Sequence, residues 1–127
     1  MRRKKEATAL DRKKELKMLY KQTKPKMGIF IIRLNTGNKC FLQATADLRG
    51  VINGAKVRLE GGSHLNRELQ KDFSEKGANS FTIEILEELA YDADESKTDY
   101  SEDLTLLQMI WEEKLAKENM EFYKKRI

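Results

Sequence analysis

The chain has 127 residues, 39% apolar and 36% charged, with a mean hydropathy of −0.71, which suits one compact domain with a modest core. No run approaches the roughly 18 apolar residues of a membrane span, and the opening is charged where a signal peptide would be apolar, so the sequence predicts a cytoplasmic protein. Cys40 is the only cysteine, which excludes an intrachain disulfide or a thiolate metal cluster and predicts a buried structural thiol.

The net charge of +4 is unevenly placed: residues 1–26 carry eleven Lys or Arg against three acids, +8, and the other 101 residues carry 14 against 18, −4. Residues 1–26 therefore read as a basic N-terminal helical arm and 27–127 as the folded domain. Ala7 to Gln22 has helical spacing of Leu10, Leu16, Leu19 and Tyr20 and ends before Pro25. Arg2, Arg3, Lys4, Lys5, Lys13 and Lys14 are its candidate nucleic-acid contacts, because such an arm concentrates near a polyanion and releases counterions. A solvated helix that aids solubility is the alternative.

Residues 28–34 (GIFIIRL) and 39–45 (KCFLQAT) are rich in β-branched and aromatic residues around the turn Thr36-Gly37-Asn38, which predicts a hairpin. From Asp47, Leu48, Val51, Ile52, Ala55 and Leu59 keep helical spacing up to Gly61-Gly62. Gly50 and Gly54 cost that helix about 1 kcal/mol each relative to alanine, and close packing on another backbone is the expected compensation. Ser63 is the expected cap of a second helix, with Leu65, Leu69 and Phe73 on one side and a left-handed Gly77 at its end. A third strand spans 80–87, with Phe81, Ile83 and Ile85 on a buried face. Residues 90–100 read as an exposed loop within an acidic stretch, since 84–103 holds nine acids and only Lys97 of opposite sign. Ser101 is the expected cap of a last helix carrying Leu104, Leu107, Trp111, Leu115 and Phe122 on one stripe and Lys124, Lys125 and Arg126 at its end.

Four fragments in this order resemble the GIY-YIG nuclease domain family: Gly28-Ile29-Phe30; Phe41-Leu42-Gln43; Gly62-Ser63-His64-Leu65-Asn66 with Leu69-Gln70-Lys71-Asp72-Phe73 and Gly77; and Phe81 to Glu87 (FTIEILE). The resemblance covers about residues 27–115. It implies an α+β fold, a small three-stranded antiparallel sheet flanked by helices, and marks the chain as a degenerate, bacterial-type member.

Active members of that family surround the scissile phosphate with two tyrosines, an arginine, a histidine or tyrosine, and a metal-anchoring glutamate. Those types fit proton relay, charge neutralisation and ion binding. The matching positions here are Phe30, Phe41, Val51, His64 and Gln108. Both phenols, the guanidinium and the carboxylate are replaced, and Gln43 stands where the family has glycine. Arg49 is about 200° from Val51 around the helix, whereas Arg58 shares its face two turns along, on the order of 10 Å. Glu112 is one turn beyond Gln108.

His64 is the one retained position: it reads as a phosphate contact or proton carrier, or as a first-turn helix residue bonding locally. Asn66 reads as a helix-start residue and Trp111 as a packing residue. The leading expectation is a catalytically silent domain that binds nucleic acid, DNA foremost, through the arm and through Arg49, Arg58, His64 and Arg67, with no cofactor and no membrane. The alternatives are an active DNA endonuclease needing Mg²⁺ or Mn²⁺ with rearranged groups such as Glu112 and Arg58, and a module that meets a protein partner through the acidic 84–103 segment.

Overall fold

The computed structural model describes residues 12–13 and 24–123; the expected arm helix therefore lies outside the described residues, apart from Arg12 and Lys13, which are helical and exposed. Arg2, Arg3, Lys4, Lys5 and Lys14 lie outside them, as do Lys124, Lys125 and Arg126. The elements run β1 (Met27–Leu34), β2 (Lys39–Thr45), α1 (Leu48–Gly61), α2 (Arg67–Lys76), a 3-10 turn (Ala78–Ser80), β3 (Phe81–Leu89), α3 (Ser101–Lys117) and β4 (Glu121–Phe122). Among these residues no helix is long and apolar enough to cross a membrane.

The sheet order is β3-β1-β2-β4. β1 pairs antiparallel with both β2 and β3, and two-residue β4 pairs parallel with β2. Four strands replace the expected three because the chain turns at Asn119, at φ 64°, and lays Phe122 beside Cys40. Phe122 thus leaves the helical stripe on which its spacing put it.

β1 is a near-continuous apolar run because it is central and covered on both faces. Phe30 and Ile32 meet Leu48, Ala55 and Leu59 of α1 and Leu69 of α2 on one face. Ile29 and Ile31 meet Leu107 and Leu115 of α3 on the other, with Cys40 and Leu42 of β2 beside them. Cys40 is fully buried, as expected, and burial pushes its thiol up to about 11.

Gly28 lies against β3 so closely that a Cβ would run into the Glu87 carbonyl oxygen. Just beyond it the β1–β3 register slips between Ile29 and Phe30, a bulge that leaves one extra residue on β3. The slip falls after Ile85, which pairs with Phe30 and so shares the expected face with Phe81 and Ile83; only the burial expected of Ile85 fails. Phe81 and Ile83 pack on the α1 side, Leu86 and Leu89 on the α3 side, and Ile85 is 47% exposed.

Helix ends also differ from expectation. Asp47 caps α1 through Gly50 N at 3.1 Å, and the helix ends at Gly61-Gly62 as the sequence predicts, with Gly62 in the left-handed region. α2 is capped by Asn66, whose Oδ1 accepts from Leu69 N at 3.0 Å, so Ser63 is not the cap and Leu65 lies outside the helix, 70% exposed. Gly77 has positive φ, but its ψ of 160° is extended and not left-handed helical. Tyr100 stands at the start of α3 with no side-chain cap, and the Ser101 N–H and hydroxyl both donate to Asp99.

Candidate functional site

β2, α1 and the segment between α1 and α2 enclose a cavity of about 480 Å³. Phe41 and Gln43 come from β2; Val51 and Arg58 come from α1; His64 and Asn66 come from the connecting segment. The helical period fixes the α1 contribution, because positions 51, 54, 55 and 58 fall on one face. Gln43 fills space on the cavity wall, where the resembled family has glycine.

The glycines on that face do not do what the sequence suggests. A Cβ on Gly54 would meet nothing within 4 Å, and one on Gly50 would meet only the Asp47 carboxylate. Neither packs on another backbone; both leave the cavity wall open. Gly54→Ala should therefore stabilise the fold by about 1 kcal/mol. Urea unfolding measures this, and a loss would show a hidden contact.

His64 is held from three sides. Its backbone N–H donates to Gln70 Oε1 at 2.8 Å, its Nδ1 accepts from Asn66 N at 3.0 Å, and its ring meets Phe41 edge-on at 5.2 Å. It precedes α2 and does not sit in its first turn. Gln70 is the residue that sequence reasoning missed. It is buried, and its amide also donates to Leu59 O and to Ser74 Oγ, joining the end of α1 to the His64 segment. Only the Leu-Gln-x-Asp-aromatic series hinted at it.

With Nδ1 accepting, a neutral His64 carries its proton on Nε2. The ring then offers a hydrogen-bond donor, not a base. Burial lowers its pKa below the ordinary 6.5, and Arg58 lowers it further. The unfolded chain therefore takes up this proton first as pH falls. The contribution to stability is complete above pH 6.5 and is lost below it. Thermal midpoints should fall more steeply below pH 6.5 in the native chain than in His64→Gln; parallel curves would assign the loss to other groups.

Three positions matched by the resemblance, Phe41, Val51 and His64, line this cavity; Phe30 and Gln108 do not. Phe30 is fully buried in the core against which Phe41 and Val51 pack. Gln108 lies at the outer edge of β2, where its Oε1 accepts from Ala44 N at 3.2 Å and its Nε2 is 3.5 Å from Glu112. The amide oxygen at the position of the family's ion anchor is thus bound to backbone. Glu112 borders a separate space of about 30 Å³ with Phe41 and Asn66. This donor set does not fit the metal that the resembled family uses, because hard dications need several free oxygens.

The three arginines divide. Arg58 lines the cavity itself. Arg67 lines an adjoining depression with His64 and Lys71, so these cations flank the imidazole. Arg49 lines a different groove, beside Lys24, Lys26 and the exposed Ile85. Trp111 packs as expected, and its indole N–H donates to Glu87 at 2.8 Å.

No protein-family model and no curated protein matches the sequence. Among solved structures, the chain is similar to the catalytic domain of homing endonuclease I-TevI, with TM-score 0.59 and 27% identity over 79% of this chain and 100% of that one. A point mutant of the catalytic domain of intron endonuclease I-TevI gives TM-score 0.57 and 26% identity, over 72% and 84%. The fold is thus GIY-YIG-like, an α+β sheet flanked by helices.

Proposed function

We propose that this chain is a nuclease-derived protein that binds DNA without cutting it. The observation that carries the reading is the composition of the cavity wall. It keeps an apolar ring at Phe41, a cation at Arg58 and an N–H donor at His64, and its lining residues include no carboxylate and no phenol. Such a wall can hold a phosphate by charge and hydrogen bonding. It has no group to activate water and no anchor for an ion, and each of those supplies a separate part of a hydrolytic barrier.

Arg58, Arg67 and Lys71 around His64 form the domain's contact with the polyanion, and the basic arm of residues 1–26 adds affinity. The similarity to an endonuclease catalytic domain supports a nucleic-acid ligand. The test is a titration of the full chain against duplex and single-stranded DNA at low salt. Saturable, salt-sensitive binding to duplex is expected, and Arg58→Ala should weaken it. No binding to either form would overturn the proposal.

A second reading rests on Glu112, which lies beside Gln108 and near Phe41. In it, Glu112 takes over as ion anchor and the chain remains a nuclease.

A further inference from the structure

Holding a phosphate takes charge and hydrogen-bond donors, and much of the cavity beside α1 supplies neither. Its wall is apolar at Phe41, Val51, Ala55 and Leu65. Phe41 and Val51 stand where the resembled family has a tyrosine and the arginine, so the replacements that remove the chemistry also line the space with hydrocarbon. Gly50 and Gly54, one turn apart on α1, border the same space without a side chain, and a Cβ on Gly54 would meet nothing within 4 Å. A flat group can therefore reach the helix backbone there. The volume, about 480 Å³, is that of a small-molecule site.

The cations collect where α1 ends. Arg58 lies in the last turn of that helix, and Arg67 and Lys71 line the adjoining depression, which shares His64 and the exposed Leu65 with the cavity. None of the three has an ion-pair partner among the described residues. From β2, Gln43 adds a side-chain amide, donor and acceptor together, that no described residue hydrogen-bonds. Apolar walls, an unused amide and unpaired cations alongside match a ligand with a flat ring, a polar ring edge and phosphates.

We propose that this cavity takes one unpaired nucleotide of a DNA strand, its base against the apolar wall at Gly50 and Gly54 with an edge toward Gln43, and its phosphates on Arg58 and Arg67. Such an occupant presupposes the DNA binding proposed above and narrows it to DNA with a nucleotide outside the stack. Apolar and aromatic walls hold the face of any base, and an amide hydrogen-bonds its edge. A regular duplex is the poorer ligand, because seating one of its bases first costs pairing and stacking. A bulged nucleotide has no pairing to lose.

Three duplexes of one sequence, titrated with the full chain at one low salt concentration, test this: fully paired, with a single-nucleotide bulge, and with the same bulge lacking its base. The bulge with its base should bind about tenfold tighter than the base-free one, which keeps the same kink and the same phosphates. Gly54→Leu, which fills open space on a helix, should bring the two affinities together, and Gln43→Ala should narrow the difference. Equal affinity of the native chain for the two bulges would overturn the proposal and leave DNA binding standing, whereas no binding to any of the three would overturn both. A preference that survives Gly54→Leu would place the base elsewhere and overturn it. So would displacement of the bulged duplex by a micromolar deoxynucleoside monophosphate, because the cavity would then serve a free nucleotide.

Discussion

Phe30→Ala is expected to remove about 3–5 kcal/mol of folding stability, a large share of the ~5–15 kcal/mol that holds a domain. Phe30 is fully buried at the centre of β1, with strands on both sides and Leu48, Ala55, Leu59 and Leu69 in the core cluster around it. Strands on either flank prevent the backbone from closing the void, so the cavity cost adds to the lost burial. Phe30→Tyr should cost about 1–3 kcal/mol, since a phenol there needs a hydrogen-bond partner, and every buried side-chain polar atom among the described residues already has one. Chemical denaturation measures both. A loss below about 1 kcal/mol for alanine would mean that this ring borders the open cavity and not the core.

The second large effect concerns salt. If six basic groups engage phosphates, the logarithm of duplex affinity should fall against log salt with a slope of about −5, near a thousandfold between 50 and 200 mM. Replacing Arg2, Arg3, Lys4 and Lys5 by glutamine should bring that slope to about −2, at about 0.9 per lost contact. The variant keeps the folded domain intact, because none of these residues lies within 27–127. An unchanged slope would move the affinity to Arg58 and Arg67. Absence of binding by both proteins would favour a protein partner for the acidic 84–103 segment.

Much of the fold was legible because the signals were local. The β1–β2 turn, the stop at Gly61-Gly62 and the apolar stripe of α1 each depend on residues within a few positions of one another. What escaped depended on distant partners. The bulge beside Gly28 skips Leu86 and carries Leu86 and Leu89 to the α3 side, whereas Ile85, still paired with Phe30, keeps the face of Phe81 and Ile83 but is left uncovered. β4 exists because β2 offers an open edge, so Phe122 follows sheet pairing over helical spacing. Tyr123 completes that return: it is buried and donates to Asp72 across 51 positions. Ser63 and Asn66 were both able caps, and only tertiary placement chose between them.

At the candidate site the sequence identified the residue types but not their grouping. Phe41, Val51 and His64 share one wall, but Phe30 sits beneath it and Gln108 is tied to the edge of β2. Gln70 carried no chemical signal of its own, since its role comes from bonds to the His64 segment and to the end of α1, with Ser74 of its own helix as a third partner.

Incubating supercoiled plasmid with the full chain and Mg²⁺ or Mn²⁺ at low salt tests the central claim most directly. Binding should retard the plasmid while it stays supercoiled, and removing the protein should return it intact. Nicking or linearisation that disappears in Glu112→Ala would contradict the account and make the chain a working nuclease with a displaced ion anchor.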